Sequence, residues 1–292
     1  TATIAGTAGA YGALLDQLRG VRWPARRATA GGVAGAHHSR MRGTSAEFTE
    51  YRPYRQGDDT RRLDWKLLAR SDRAYIRLST DRSVLGTVLV VDASASMDFP
   101  SGPRSKWAYA RQLAVGLASA AHADGDPVGL AIPAAPSARV LAPRTRRGVV
   151  SEIGRTLDAT VAAGGAPVAP AFAAVGSVAR IAIVSDLLGD AGDLLRLARE
   201  HAVTGGEVHV AHVVAPEEVD PPARALLAAD PEDALVRRPL TADNRAGYVA
   251  AFAEWLAATA REWRAAGAYY TMVTTDEPPD RAVRRLVSPA HA

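Results

Sequence analysis

The stretch "TVLVVDASASM", residues 87–97, joins an apolar strand to a short run of polar side chains. Five residues suited to a buried strand are followed at once by Asp92, Ser94 and Ser96, which stand at alternate positions. Such a segment is either a polar turn, whose side chains bond to backbone amides, or a set of oxygens gathered for a ligand. Both interpretations end the strand at Val91.

The composition is that of an ordinary globular protein. The chain has 292 residues, of which 48% are hydrophobic and 23% charged, and this supplies enough apolar side chains for a sizeable core. No run of about 18 apolar residues occurs, so we expect no membrane span. The absence of cysteine excludes disulfides, thiolate metal sites and a cysteine nucleophile. A cytoplasmic location is the default expectation for such a chain.

The positive charge is concentrated at the start of the chain. Residues 1–82 carry a balance of +7 and the remainder carries −3, which together give the net charge of +4. Arginine supplies nearly all of the positive charge, since Lys66 and Lys106 are the only lysines. Aromatic side chains are not interleaved with the arginines as they are in proteins that bind single-stranded nucleic acid. We therefore expect no nucleic-acid partner.

Downstream of residue 86, short apolar runs alternate with helical patterns. This order predicts an α/β fold with a doubly wound, mostly parallel sheet that is covered by helices on both faces. Ligands bind such sheets beyond the carboxyl ends of the strands, where Asp92 and Asp186 are expected. If their strands are neighbours, both carboxylates reach the same edge. The predicted strands are 87–91, 127–132, 180–186, 207–214 and 268–276; the predicted helices are 105–125, 146–165, 191–206, a long one from about 241, and a short one through Val283 and Leu286.

The segment before residue 83 differs in character and is dense in charged and aromatic side chains. We therefore divide the chain into an N-terminal extension, 1–82, and a sheet domain, 83–292. Two strands near 47–55 and 74–80 are predicted to flank a short helix from Trp65 to Arg70. So charged a segment has too few apolar residues for a core of its own, so its aromatic side chains should pack on the sheet domain. These side chains are Phe48, Tyr51, Tyr54 and Trp65, and an earlier amphipathic helix carries Leu14, Leu15, Leu18 and Val21.

The oxygens at the predicted sheet edge suit a divalent cation. Magnesium prefers a near-octahedral shell of oxygens and keeps several waters, so two or three protein oxygens suffice. The candidate ligands are Asp92, Ser94, Ser96 and Asp186. Two alternatives stay open, because Asp92 and the serines could bond to amides at a turn, and Asp186 could cap a helix.

At this point the sequence resembles two known families. "VLVVDASASM", "IVSDLLGD" and the strand–helix order between them resemble a von Willebrand factor type A domain with its metal-ion-dependent adhesion site. The upstream segment resembles the bacterial domain-of-unknown-function family fifty-eight, through the pattern R-x-Y-x-x-G-D-D-x-R-x-x-D-W. The resemblance covers roughly residues 35 to 287. The matching upstream residues are Arg52, Tyr54, Gly57, Asp58, Arg61, Asp64, Trp65, Ala69 and Arg70.

The resemblance implies a Rossmann-like α/β fold and a Mg²⁺ site. By position, Asp92, Ser94 and Ser96 match the first metal motif of the family, and Asp186 matches the last. The middle motif is a threonine in a glycine-containing loop, and here Ala166 in "GGAPV" stands where that threonine belongs. Alanine offers no oxygen, so we expect Mg²⁺ to bind weakly or not at all.

The resemblance also implies a function without catalysis. Members of the family have no established enzymatic activity, and many are encoded beside MoxR-type AAA+ ATPases, with which they are thought to assemble or activate client proteins. We therefore expect a protein-interaction module with a degenerate metal site, in which Met97, Phe99 and Pro100 are apolar anchors for a partner. The alternative is a Mg-dependent hydrolase or phosphatase that uses Asp92 and Asp186. No P-loop, H-E-x-x-H or G-x-S-x-G motif is present.

Overall fold

A computed structural model gives the fold of residues 7–26, 34–38, 48–55, 58, 60, 63–71, 73–79, 82–189, 192–223, 226–229 and 235–288. The helices in these ranges are α1 (Thr7–Gln17), α2 (Trp65–Ser71), α3 (Lys106–Ala123), α4 (Val149–Asp158), α5 (Val168–Ala174), α6 (Gly192–Val203), α7 (Pro216–Val219), α8 (Ala242–Ala265) and α9 (Pro279–Val287). The strands are β1 (Ala34–His38), β2 (Phe48–Pro53), β3 (Tyr75–Ser79), β4 (Arg82–Ser83), β5 (Thr87–Val91), β6 (Val128–Ile132), β7 (Arg139–Arg144), β8 (Arg180–Ser185), β9 (Glu207–Val214), β10 (Leu226–Ala229), β11 (Arg237–Leu240) and β12 (Tyr269–Thr274).

The centre of the molecule is a six-stranded sheet in the order β12-β9-β8-β5-β6-β7. The first five strands are parallel, and β7 joins the edge antiparallel to β6. From β5 the chain builds outward through β6 to β7, then returns to the other side of β5 with β8. The predicted doubly wound, mostly parallel α/β sheet is confirmed. The point where the winding changes direction lies between β5 and β8, which is where such sheets bind ligands.

Two apolar cores cover the two faces of the sheet. Successive side chains of a strand point to opposite faces, so Leu89 and Val91 enter one core while Val88 and Val90 enter the other. The first core also contains side chains of α1, α3, α4 and α9, and the second contains side chains of α5, α6 and α8. Burial on both faces explains why β5, β8 and β9 have uninterrupted buried residues rather than an alternating pattern.

The first described helix belongs to the sheet domain. Leu14, Leu18 and Val21 are buried in the core that also contains α3, and Trp23 has no exposed surface. The Arg180 guanidinium lies 4.5 Å from the ring of Trp23 and donates a hydrogen bond to Glu207 at the amino edge of the sheet. Residues 7–26 thus pack with the domain predicted to start at residue 83, and the division at residue 82 stays a prediction for the rest of the extension.

The upstream strands and helix form as expected, but the packing expected of Trp65 is wrong. Strands β2 and β3 pair antiparallel, and α2 begins at Trp65. Trp65 is 63% exposed, because it lies on the outer side of a short helix that has no buried residue. The side chains of Phe48 and Tyr51 lie outside the described residues, as do Gly57 and Arg61, and Tyr54 is half-buried.

Two acidic residues of the upstream motif have structural contacts. The Asp58 carboxylate accepts a hydrogen bond from the Arg52 guanidinium at 2.7 Å and one from the amide of Arg55 at 2.8 Å. The bond from Arg52 is the main reason why the pKa of Asp58 is lowered. Asp64 accepts from the amides of Lys66 and Leu67 and so caps the start of α2. These contacts fix a loop and a helix end.

Candidate functional site

The two predicted strand-end aspartates lie at one edge of the sheet. Strands β5 and β8 are hydrogen-bonded neighbours in parallel register, with Val91 opposite Val184. The ladder continues one step further, because the amide of Asp92 donates to the carbonyl of Val184 at 2.9 Å. Asp92 and Asp186 therefore lie side by side at the carboxyl edge, as the sequence predicted. Both are buried, with 5% and 2% of their surfaces exposed.

Asp92 is bonded through both oxygens of its carboxylate. One oxygen accepts from the amide of Ser94 at 2.9 Å, and the other accepts from the hydroxyl of Ser185 at 2.6 Å. The hydroxyls of Ser94 and Ser96 lie 3.0 Å apart and share a hydrogen bond. The structure thus brings together the three residues of the first motif in a polar turn. Burial, and secondarily the nearby charge of Asp186, raises the pKa of Asp92.

The loop that carries Ala166 closes over this turn. The amide of Ala163 donates to the carbonyl of Ala93 at 2.9 Å, and the amide of Ala95 donates to the carbonyl of Gly164 at 2.7 Å. Gly164 has φ +70°, a left-handed conformation that glycine adopts without strain. Ala166 lines a cavity that Asp92 and Ser94 also line, so the loop lies beside the first motif.

The cavity beside Asp92 has a volume of about 230 Å³ and combines a polar base with apolar walls. Leu187 adopts φ +57°, a strained conformation for a residue with a β-carbon, and its amide donates to Ser185 at 3.0 Å. This strained turn directs the chain from the end of β8 around the cavity. The lining side chains that matter here are Asp92, Ser94, Ala166, Val168, Leu187 and Leu194.

Asp186 is engaged by a lysine. The Lys106 ammonium donates to Asp186 at 2.8 Å and to Glu218 at 2.5 Å, and Lys106 has no exposed surface. The other Asp186 oxygen accepts from the amide of Leu188 at 3.2 Å. The alternative that Asp186 caps a helix is wrong, because α6 begins only at Gly192. Burial raises the pKa of Glu218 even though Lys106 opposes that effect.

A divalent cation fits these side chains only in part. Asp92, Ser94 and Ser96 are oxygen donors of the kind that Mg²⁺ accepts. Ala166 supplies no oxygen, and the carboxylate of Asp186 already binds an ammonium group. Within the described ranges, no three His, Cys, Asp or Glu side chains are grouped so that they could hold a metal ion.

The apolar residues beside the polar centre differ from the expected set. Met97 is fully buried and belongs to the core, so its predicted role as an anchor is wrong. Phe99 is 39% exposed, and Leu188, which sequence reasoning missed, is 48% exposed. The ring of Phe99 also lies 5.9 Å from the Lys106 ammonium. The edge therefore presents two exposed apolar side chains: Leu188 directly follows Leu187 of the cavity wall, and Phe99 lines a second cavity with Glu218.

Lys106, Glu218 and Ser185 were not predicted from the sequence. One signal was available for Lys106, since it is one of two lysines in an arginine-rich chain and stands at the first position of a helix. A positive charge is unfavourable there. Glu218 and Ser185 gave no such signal, because their roles depend on which strands are neighbours.

Within the described part of the chain, no helix is both long and apolar enough to cross a membrane.

A stretch of 107 residues of the chain is 36% identical to curated but uncharacterized proteins of Mycobacterium tuberculosis (Rv1480) and Mycobacterium bovis (Mb1516). The match covers 37% of this chain and 32% of those proteins, so it spans about a third of their length.

The solved structures to which the chain is similar include BatB, a conserved hypothetical protein from Bacteroides thetaiotaomicron, at 16% identity and a TM-score of 0.45. That comparison covers 70% of this chain and 97% of BatB. The VWA domain of SpRpn10 has 12% identity and a TM-score of 0.38, over 68% of this chain and 94% of that domain. The family model described as "Protein of unknown function DUF58" matches residues 50–255, which is more than half of the chain. The chain therefore belongs to the DUF58 family.

Proposed function

We propose that this chain is a non-enzymatic protein-interaction module that recognises its partner at the carboxyl edge of the sheet. The contact surface, here called the carboxyl-edge surface, consists of residues 92–99, 163–168 and 185–189. The observation that carries the proposal is the cavity lined by Asp92 and Ser94, together with two exposed apolar side chains of the same edge. Leu188 directly follows the lining residue Leu187, and Phe99 lines a second cavity with Glu218. A polar centre flanked by a few apolar side chains is the usual composition of an interface with buried anchors.

The bonding of the two aspartates supports binding over catalysis. Both oxygens of Asp92 accept hydrogen bonds, and so do both oxygens of Asp186. Each of these four oxygens bonds to a group of the protein, so both carboxylates organise the edge itself. The alternative of a Mg-dependent hydrolase or phosphatase using Asp92 and Asp186 therefore has less support.

The metal and the partner class are finer parts of the same proposal. We assign Asp92, Ser94, Ser96 and Asp186 to a degenerate metal-ion-dependent adhesion site, which binds Mg²⁺ weakly or not at all because Ala166 replaces the threonine. The proposed partner is a MoxR-type AAA+ ATPase, with which the chain assembles or activates a client protein. The partner class rests on family association, and the physical features support only a protein interface.

The test is capture of a purified MoxR-type ATPase from the same organism by the full chain. The double variant Phe99→Ala/Leu188→Ala should lose capture while its circular dichroism stays that of the parent. Val203→Ala is the matched control, because Val203 is 81% exposed at the end of α6, at the opposite edge of the sheet. Loss of capture by Val203→Ala as well, or retention by the double variant, would argue against the carboxyl-edge surface.

An activity assay separates the hydrolase alternative. The purified chain should not hydrolyse a general phosphatase substrate in the presence of Mg²⁺ or Mn²⁺. Hydrolysis that Asp92→Ala abolishes would replace the interaction proposal with the enzymatic one.

A further inference from the structure

Lys106 is a buried cation between two carboxylates of the carboxyl edge. Its ammonium lies 2.8 Å from Asp186 and 2.5 Å from Glu218, and no part of the residue is exposed. Asp186 is 2% exposed, so the first of these ion pairs is almost fully removed from water. A buried charge is costly unless it is paired and hydrogen-bonded, and both conditions are met here.

Lys106 occupies a position that local preferences disfavour. Ser105 is the N-cap of α3 and accepts a hydrogen bond from the amide of Ala108, which makes Lys106 the first residue of the helix. The amino end of a helix carries a partial positive charge, so a cationic side chain there is unfavourable. The ion pairs with Asp186 and Glu218 offset this cost. A residue such as Lys106, which is unfavourable for its position in the helix, is expected to have a specific role in the folded protein.

The ammonium joins three connections of the chain. Lys106 begins α3 after β5, Asp186 follows β8, and Glu218 lies in α7 after β9. The second carboxylate oxygen of Glu218 accepts from the amide of Ala215 at 2.7 Å, which fixes the start of α7. One cation thus holds together the chain segments that leave three different strands of the sheet.

We infer that the Lys106 ammonium is the resident cation of this edge and takes the place of a divalent metal ion at Asp186. A divalent ion bound to the same carboxylate would lie close to the ammonium, and like charges repel where water is excluded. Asp92 has no ion pair, and each of its oxygens accepts one hydrogen bond, from the Ser94 amide and from the Ser185 hydroxyl. The Lys106 ammonium and these hydrogen bonds hold the edge together without requiring a metal ion.

A site held together by a lysine and a site held together by a metal ion differ in how the stability of the folded protein depends on ion concentration. Ligands that bind only the folded state raise the melting temperature by mass action. A lysine side chain is covalently attached, so its contribution does not depend on the concentration of any ion. The folded stability of this chain should therefore not change between excess Mg²⁺ and a chelator. This property does not depend on the proposed protein partner.

The experiment is thermal melting of the full chain and a double-mutant cycle. The parent should melt at the same temperature in excess Mg²⁺ and in EDTA. Lys106→Met should melt several degrees lower, and Asp186→Asn should cost less in the Lys106→Met background than in the parent, because the residues act as a pair. Lys66→Met is the matched control, since Lys66 is exposed and its loss should leave the melting temperature unchanged.

Two outcomes overturn the inference. One is a melting temperature of the parent that rises with Mg²⁺ and falls with EDTA. The other is equal cost of Asp186→Asn in both backgrounds. If Lys106→Met alone does not fold, the measurement on the parent still decides, because it uses no variant. Failure of partner capture leaves both readouts unaffected, so the two proposals fail separately.

Discussion

Ala166 is the single residue that most limits oxygen coordination next to Asp92. It lines the same cavity as Asp92 and Ser94, and it stands where the resemblance to a metal-ion-dependent adhesion site predicts a threonine hydroxyl. The surrounding loop is fixed by two backbone hydrogen bonds to residues 93 and 95, so a substitution at 166 should change chemistry more than shape.

Replacing this alanine tests the metal proposal. Ala166→Thr should tighten Mg²⁺ binding over the parent, because it adds one hydroxyl oxygen to the donors at Asp92 and Ser94. Ala166→Val has the same shape without the oxygen and should bind no better than the parent. Isothermal titration calorimetry on the three proteins measures this. Equal affinity of the threonine and valine variants would mean that residue 166 does not face the ion.

His209 is a buried neutral histidine at the opposite end of the sheet. Its Nε2 lies 3.2 Å from Glu207, and its ring packs against Trp23 and Tyr269. Burial lowers the pKa of His209 from 6.5 to about 4, although Glu207 opposes the shift, while the positive charges of Arg180 and Arg26 add to it. His212 faces the other side of the sheet toward Trp255, so the two histidines cannot share a metal.

This pKa gives a pH dependence with a definite sign. The unfolded chain binds a proton at His209 below pH 6.5, whereas the folded chain resists it until about pH 4. The contribution of neutral His209 to the free energy of unfolding is fully present above pH 6.5 and is lost as the pH falls from 6.5 to about 4. As the pH falls over this range, the His209→Gln variant should therefore lose less free energy of unfolding than the parent, by on the order of 3 kcal/mol. Denaturant titrations at several pH values measure it, and parallel curves would contradict a neutral His209.

At the level of elements, the close approach of α3 to α9 depends on Gly116. A β-carbon added at Gly116 would lie 2.7 Å from Cγ2 of Val283 and 3.0 Å from Cδ1 of Leu18. Both neighbours are buried, so neither can move aside without disturbing the core. The small residue therefore sets how closely α1 and α9 pack on α3.

Gly116→Ala and Gly247→Ala form a matched pair. Alanine is favoured over glycine by about 1 kcal/mol inside a helix, and Gly247 in α8 has open space around its α-carbon. Gly247→Ala should thus stabilise the protein by up to about 1 kcal/mol. Gly116→Ala should destabilise it by about 1–3 kcal/mol, because overpacking outweighs helix propensity. Chemical denaturation compares the two, and stabilisation by both would show that α3 and α9 are not in close contact.

The elements that sequence patterns predicted well are those buried on both sides. Strands β5 and β9 end at the predicted residues, because continuous apolar runs bounded by turns leave little choice. Strand β7 was missed, since "RVLAPR" is mostly exposed, contains proline and pairs antiparallel at the sheet edge. The helix predicted at 146–165 is shorter, because its last part forms the loop that carries Ala166. Helix α5, directly after this loop, was missed for its short length.

At the level of the whole molecule, residues 7–26 wrap from α4 to the amino edge of the sheet. The hydroxyl of Tyr11 donates to Asp158, the last residue of α4, and Trp23 lies against Arg180 and His209. We therefore expect the stability of the sheet domain to depend on upstream residues, and specifically on α1 and Trp23. The exposed aromatic residue of α2 contributes no such contact.

Two tryptophans test this assignment. Trp23→Ala should cost about 3–5 kcal/mol of unfolding free energy, because Trp23 is fully buried between the sheet and the charged groups. Trp65→Ala should change it by less than about 0.5 kcal/mol, since Trp65 is 63% exposed. Equilibrium denaturation gives both values. A large cost for Trp65→Ala would mean that the upstream module packs on the sheet after all.

The candidate site could be located from the sequence but not completed. Strand ends at Asp92 and Asp186 predicted the correct edge, because the alternation of strands and helices fixes where parallel strands end. The partner of Asp186 depends on side chains 80 and 32 residues away, at Lys106 and Glu218, and only the folded chain brings them together. The edge thus has the Lys106 ammonium at Asp186, where the sequence resemblance implied a metal ligand.

A crystal structure of the full chain grown with excess Mn²⁺ shows which cation lies beside Asp186. Mn²⁺ takes the same oxygen ligands as Mg²⁺ and is identified by its anomalous scattering. We predict the Lys106 ammonium within hydrogen-bond distance of Asp186 and Glu218, and no anomalous peak at Asp186. A Mn²⁺ peak coordinated by Asp186, with the Lys106 side chain turned away, would contradict an edge that is held by its own lysine.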